Sequence, residues 1–220
     1  MVEYSQSLAA EMLPKDEGDD LSFAYSIMDM CHLDPLIKQI NDENNDKITT
    51  FDSAWMLLGS MQHLLTNSDV IKAFVSIGSV VKVGGTLILE LPHPRELFQL
   101  MECTRNGWEI PLENAEGKDE GELRVVWGDD NDVFNPILQQ REFTVELKLV
   151  EKDSESGKEV VTQNVREVVP LRLFTSQEID SLAMASGCWK LEKMFGALDE
   201  ETDIEDDDLA FRMVCILRRE

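Results

Sequence analysis

The chain has 220 residues, of which 43% are hydrophobic, so it is long enough for one domain with a sizeable core and too short for two comfortable ones. Its formal net charge is −24, from 44 acidic and 20 basic residues. Such a surface repels phosphate backbones and anionic lipid, so we expect neither nucleic acid nor a membrane as a partner. No apolar run reaches the roughly 18 residues of a membrane span, and the first residues lack a signal-peptide pattern.

Cysteine and histidine usage indicates a reduced protein without a dedicated metal site. The four cysteines lie far apart and form no CxxC pair, which favours a reducing, cytoplasmic compartment. The three histidines, His32, His63 and His93, belong to no HExxH motif or Cys/His cluster.

The first elements in chain order are short. Residues 5–13 predict a helix that Ser5 caps and Pro14 ends. Residues 21–28 predict a strand that ends at Asp29, and residues 41–46 predict a polar surface loop.

A βαβ unit is predicted between residues 51 and 91. The almost wholly apolar run 51–58 predicts a strand buried on both faces, as in a parallel sheet covered by helices. Residues 66–85 predict a helix with a capping residue among Thr66, Asn67 and Ser68 and a Gly-Gly stop. Residues 86–91 predict a second buried strand, and this order with short joins is typical of a βαβ crossover. Pro94 then opens a short helix.

The pattern changes after Cys103. Residues 106–122 are polar and contain glycine, and alternating stretches follow at 122–127, 141–150 and 159–173. Alternation of this kind predicts an antiparallel meander inserted into the α/β domain, which we assign to residues 104–173 of a single domain spanning 1–220.

Helical periodicity resumes at Thr175, which stands three residues before Glu178 and predicts a capping box. The apolar face of this predicted helix, which includes Ile179, is expected to be buried, and the helix is expected to end at Gly187. Strands are predicted at 189–195 and 209–217. Between them, residues 199–208 carry eight acids and predict a solvated loop.

Three blocks of this pattern resemble the class I S-adenosylmethionine (SAM) methyltransferases of the small-molecule type. Residues 51–64 resemble the family's fourth strand and the loop after it. Residues 81–91 are similar to the family's Leu-Lys-Pro-Gly-Gly turn and fifth strand, with Val83 in place of proline. Residues 175–196 resemble the next helix and sixth strand, with Cys188-Trp189 in place of the usual phenylalanine. The resemblance implies an α/β, Rossmann-like sheet with an antiparallel β insertion after the fifth family strand.

The resemblance also implies a site at the carboxyl ends of the strands, where ligands bind in open α/β sheets. Its acids would hold the ribose hydroxyls and the adenine of SAM, and the loop after the fourth strand would face the methyl group. The implied cofactor contacts are Glu3, Tyr4, Asp29, Met30, Leu58, Gly59 and Ser60. The implied catalytic residue is His63, and His93 is the implied substrate contact.

Each of these residues has an ordinary structural alternative. Glu3 is otherwise a solvated terminal acid, Asp29 a cap for the next turn, and His63 a packing residue or a donor to a backbone carbonyl. We predict that three aromatic residues belong to the core rather than to the pocket: Phe23, Trp55 and Phe74.

The resemblance places Met1 at the second family strand, so we expect an N-terminally truncated fold without the first strand and the Gly-rich loop. That loop lets the backbone approach the cofactor, and its absence predicts weak SAM affinity. Without the first strand, two strand edges lose their partners. Three outcomes are open: the sequence is a fragment or a mis-started gene product, the second and fourth family strands close up, or a protein partner or second chain donates the missing strand.

The resulting hypothesis is a SAM-dependent methyltransferase acting on a small-molecule or protein acceptor, with the insertion covering the substrate. Leu58-Gly59-Ser60-Met61 stands where amino-group methyltransferases carry an Asn/Asp-Pro-Pro-Tyr tetrad, which argues against a DNA adenine substrate. The first alternative is a non-catalytic, methyltransferase-like binding or regulatory module. The second is a nucleotide-dependent oxidoreductase on a similar fold.

Overall fold

The structure is a computed structural model that describes residues 26–44, 48–97, 106–113, 119–152 and 158–220. The predicted helix 5–13 and the residues Glu3, Tyr4 and Phe23 lie outside these ranges. The helices are α1 (Leu36–Asn44), α2 (Asn67–Val80), α3 (Pro94–Leu97) and α4 (Ser176–Ser186), with a 3-10 helix at Ser60–His63. The strands are β1 (Phe51–Met56), β2 (Val81–Pro92), β3 (Asn106–Glu113), β4 (Asp119–Trp127), β5 (Phe134–Asn135), β6 (Gln140–Lys152), β7 (Glu159–Arg172), β8 (Trp189–Phe195) and β9 (Arg212–Arg219). No described helix is both long and apolar enough to cross a bilayer.

The first sheet has the strand order β1-β2-β9-β8. β1 and β2 are parallel, whereas β9 is antiparallel to both of its neighbours. The carboxyl ends of β1, β2 and β8 therefore lie at one edge of the sheet, beside the start of β9, where Arg212 pairs with Pro92. This edge is where a ligand site is expected in a sheet of this kind.

α2 connects β1 to β2 as the predicted crossover. Thr66 is its N-cap, and the Thr66 side chain accepts a hydrogen bond from the Asp69 amide. Val70, Phe74 and Ile77 form the buried face of the helix. The helix ends at Val80 rather than at the Gly-Gly pair, because residues 81–85 already belong to β2.

The core is built between this sheet and the helices α2 and α4. Trp189 is only 2% exposed and its indole donates to the Phe74 carbonyl at 2.8 Å. The predicted stripe of α4 is buried, and Gly187 ends the helix with φ 65°. The predicted capping box is half formed: the Thr175 hydroxyl accepts from the Glu178 amide, but the Glu178 carboxylate binds Arg172 and Gln139 instead.

The insertion forms a second sheet in which β3, β4, β6 and β7 are consecutive antiparallel neighbours. Cross-strand register brings apolar residues onto one face, for example Trp108 opposite Val125 and Val125 opposite Leu147. On the other face, Glu109 lies opposite Arg124, and Arg124 lies opposite Lys148. A sheet with one apolar and one charged face packs its apolar face against another part of the protein or a ligand, and its charged face is solvated.

Several further details of the sequence prediction were wrong. Residues 26–28 form no strand, and residues 41–44 continue α1 rather than forming a loop. β1 is not buried on both faces: it ends the described sheet, and Trp55 is 68% exposed instead of lying in the core. Residues 106–113, read as a polar segment, form β3, because charged side chains are tolerated on the solvent face of an antiparallel sheet.

We predict that Trp189→Phe lowers the free energy of unfolding by about 2–4 kcal/mol, because it leaves a small cavity and removes the hydrogen bond from the indole to the Phe74 carbonyl. The midpoint of thermal unfolding should fall by roughly 5–15 °C. Trp55→Phe is the matched control, and calorimetry should find it within about 0.5 kcal/mol of the parent because Trp55 is exposed. Equal effects of the two substitutions would contradict the assignment of Trp189 to the core.

Candidate active site

A cleft of about 470 Å³ lies at the carboxyl ends of β1 and β2, between the first sheet and the insertion. The first sheet and its loops contribute the loop after β1, the end of β2 and the start of β9. The second sheet contributes its apolar face. The lining residues are Leu58, Gln62, Pro92, Asn106, Trp108, Trp127, Phe143, Leu171, Phe211 and Arg212.

The loop after β1 turns sharply at the mouth of this cleft. Leu58 and Gly59 both have left-handed backbone angles, with φ 54° and 69°. A Cβ on Gly59 would lie 2.6 Å from the Gln62 Oε1, so a side chain there would have to displace the end of Gln62 and would also strain the left-handed backbone. The Ser60 hydroxyl donates to the Leu57 carbonyl at 2.7 Å, and the Leu58 side chain is 83% exposed.

Glu90 on β2 supports this turn from beneath. Its carboxylate is 2% exposed and accepts a hydrogen bond from the Leu58 amide at 2.9 Å, while its backbone carbonyl accepts from the Gly59 amide at 3.1 Å. The other carboxylate oxygen pairs with Arg212 Nε at 3.2 Å. A buried carboxylate needs such partners, because an unpaired charge in the core costs several kcal/mol.

Aromatic side chains of the insertion form the opposite wall of the cleft. Trp127 and Phe143 lie with ring centroids 5.6 Å apart, and Trp108 adds a third ring from β3. The insertion is fixed near this wall by polar contacts with the core: Gln62 Nε2 donates to the Arg172 carbonyl at 3.2 Å, and the Arg172 guanidinium binds Glu178 and Asn67.

Asp29 lies in an exposed turn at the same end of the first sheet. Cys31 Sγ contacts the Asp69 carbonyl in the first turn of α2 at 3.5 Å, which places this turn beside the loop that leads from β1. The Asp29 carboxylate accepts from the Cys31 amide at 2.9 Å and pairs with the His32 ring at 3.1 Å. These bonds, the Cys31 amide first, hold the pKa of Asp29 below its ordinary value, so it is an anion at neutral pH.

The two candidate histidines have different surroundings. His63 ends the 3-10 helix and is exposed. His93 is buried, with Nε2 2.9 Å from the Ile204 carbonyl and Nδ1 3.2 Å from the Arg95 amide. Because both ring nitrogens are used within the protein, His93 fastens the acidic segment 199–208 to the end of β2. Neither histidine lines the cleft.

Sequence reasoning missed several residues that the structure brings to the cleft. Glu90 was visible as the one acid within an apolar strand, and Arg212 as the basic residue before the final apolar run. Neither signal identifies a partner without the pairing of β2 with β9. Trp108, Trp127 and Phe143 join the cleft through cross-strand register, which no short motif records.

Comparison with known proteins finds no matching family profile and no matching curated protein. Solved structures do match. A SAM-dependent methyltransferase from Clostridium acetobutylicum superposes with a TM-score of 0.63 at 12% identity, over 98% of this chain and 70% of that one. The amino pentose methyltransferase CalS10 from Micromonospora echinaspora, solved with SAM bound, has a TM-score of 0.51 at 16% identity, over 80% and 61%. The sugar N-methyltransferase KedS8 from a Streptoalloteichus species has a TM-score of 0.51 at 14% identity, over 80% and 59%.

These matches confirm the expected α/β fold: the chain has the fold of the class I SAM-dependent methyltransferases. The chain spans about 60% of the length of the two sugar-modifying proteins.

We predict that Gly59→Ala destabilises the protein by about 1 kcal/mol more than Gly84→Ala, measured by urea unfolding. Both glycines have positive φ, of 69° and 77°, so both substitutions place an alanine in a conformation that L residues disfavour. Only at Gly59 must the new methyl displace Gln62 and its bond to Arg172, because the space around Gly84 is open. Equal destabilisation would show that Gln62 does not depend on Gly59.

Proposed function

We propose that this chain is a SAM-dependent methyltransferase for a small-molecule acceptor. The observation that carries the proposal is the cleft at the carboxyl ends of β1 and β2, which the apolar face of the insertion covers. Its volume of about 470 Å³ lies within the usual range for small-ligand sites, roughly 300–1,000 Å³. In this proposal residues 104–173 are the substrate cover of a single domain spanning 1–220.

The described residues suit the nucleoside part of SAM. Asp29 offers an exposed carboxylate that hydroxyl or amino groups can donate to. Ile27 and Leu58 are exposed apolar side chains at the same end of the sheet, and such side chains pack well on a planar base. We therefore assign cofactor contacts to Asp29, Met30, Leu58, Gly59 and Ser60. SAM, when bound, supplies a methyl group on a positively charged sulfur, which a nucleophile can take up.

The protein's contribution to such a transfer is positioning and the exclusion of water. The rings of Trp108, Trp127 and Phe143 give the acceptor a dry wall, and the turn at Leu58–Ser60 forms the other side of the cleft. We propose His63, which follows Gln62 in the 3-10 helix, as the group that receives a proton from the acceptor; because its exposed ring does not line the cleft, this role requires the ring to turn toward the acceptor. A substrate contact through His93 requires the loss of one of its two hydrogen bonds.

The small-molecule class has support beyond cleft size. CalS10 and KedS8 are described as methyltransferases of an amino pentose and of a sugar nitrogen, respectively. The large aromatic side chains that the insertion contributes suit a compact acceptor that stacks against them.

The proposal predicts that the chain binds S-adenosylhomocysteine, measured by calorimetry, and that Asp29→Asn weakens this binding by about tenfold. Asparagine can still accept from the Cys31 amide, so the turn is kept while the charged acceptor is lost. Asp52→Asn is the matched control, because Asp52 is an exposed acid at the opposite, amino end of β1. It should leave the affinity unchanged.

No detectable binding of either SAM or S-adenosylhomocysteine would overturn the proposal for this chain. It would favour the non-catalytic module instead. Equal losses from both aspartate substitutions would contradict the placement of the nucleoside beside Asp29.

A further inference from the structure

The charge of the cleft lining is concentrated on one residue. Of the described lining residues, Arg212 alone is charged, and Gln62 and Asn106 are the other polar side chains. A single cation within an otherwise apolar and aromatic wall stands out in a chain of net charge −24. The positive charge of Arg212 favours a ligand that carries a negatively charged group.

The Arg212 guanidinium is oriented before any ligand arrives. Its Nε pairs with the buried Glu90 carboxylate at 3.2 Å, and its central carbon lies 5.7 Å from the centre of the Phe211 ring. Its two terminal nitrogens have no acceptor among the described residues, and the side chain is about one-third exposed. The ion pair with Glu90 holds the guanidinium at the wall of the cleft, where its Nη atoms can donate to a planar acceptor with two oxygens.

We propose that the cleft binds a planar aromatic acceptor that carries one carboxylate, and that the Nη atoms of Arg212 bind this carboxylate. The rings of Trp108, Trp127, Phe143 and Phe211 supply stacking surface for the aromatic part. A carboxylate is favoured over a phosphate because Glu90 already offsets much of the positive charge. A doubly charged group would also meet the repulsion of the whole acidic chain.

This proposal rests on the proposed function in one respect: the bound molecule is a methyl acceptor only if the chain is a methyltransferase. The binding step itself does not need SAM. It competes with a simpler role in which Arg212 only neutralises Glu90. The two roles differ in a way that the unmodified protein can report, because only a ligand-binding Arg212 distinguishes a carboxylate from its neutral amide.

The first experiment titrates the unmodified chain, without SAM, with 4-hydroxybenzoate, 4-hydroxybenzamide and phenyl phosphate, and follows binding by ligand-observed NMR. We expect the carboxylate to bind at least about tenfold more tightly than the amide, and more tightly than the phosphate. Equal affinity for carboxylate and amide overturns the role of Arg212 in binding. Tighter binding of phenyl phosphate overturns the assignment to a carboxylate.

The second experiment repeats the titration with variants. Arg212→Lys keeps a positive charge beside Glu90 but loses the forked geometry, and we expect the preference for carboxylate to fall to about threefold. The double variant Glu90→Gln, Arg212→Gln removes the buried charge together with its partner, and it should lose the preference entirely while remaining folded by circular dichroism. Arg166→Gln, on the polar face of the second sheet, is the control and should keep the full preference.

A preference that survives in the double variant overturns the proposal. Binding of S-adenosylhomocysteine, measured on the same samples, separates this result from the proposed function. Loss of the carboxylate preference with cofactor binding intact supports Arg212. A carboxylate preference without any cofactor binding leaves the Arg212 site standing and removes the methyltransferase proposal.

Discussion

The buried carboxylate of Glu90 is the constraint on which the candidate site depends. One oxygen accepts from the Leu58 amide and the other pairs with Arg212, so one side chain joins the loop after β1, the carboxyl end of β2 and the start of β9. Without this carboxylate, the loops at the ends of these three strands would lose this link. The left-handed turn at Leu58 and Gly59 is strained for the leucine, and the bond from Glu90 offsets part of that strain.

The second sheet depends on a different kind of contact. Its strands are held by main-chain ladders, but its position on the core is set by polar side chains at the inner ends of β6 and β7. Gln140 donates to the Leu65 carbonyl, Gln139 to Glu178, and Arg172 binds Glu178 and Asn67. These bonds attach the insertion to the first turns of α2 and α4, whose caps are themselves fixed by Thr66 and Thr175. The insertion, which forms one side of the cleft, is therefore attached to helices whose N-termini are capped.

Local signals in the sequence were sufficient for much of the fold. Helix caps and periodicity identified α2 and α4, alternating residues identified β4, β6 and β7, and the resemblance of three blocks identified the class of sheet. Local reasoning failed where neighbours in space decide the outcome. Trp55 is a large apolar residue of the kind found in cores, but it lies on a strand at the edge of the described sheet and is exposed. β3 carries charged side chains because only one of its faces is covered. Of the predicted site residues, Leu58 lines the cleft, whereas Glu3 and Tyr4 lie outside the described residues.

The apolar face of the insertion extends beyond the cleft that it covers. Away from the cleft, Ile110, Leu147 and Val165 continue the same face and are exposed. At low ionic strength the net charge of −24 keeps such faces on different molecules apart. Salt shortens the range of that repulsion to about 8 Å at physiological ionic strength and leaves the apolar attraction in place. Electrostatic repulsion and apolar attraction between molecules of this protein therefore oppose each other, and we expect association to increase with salt rather than to decrease.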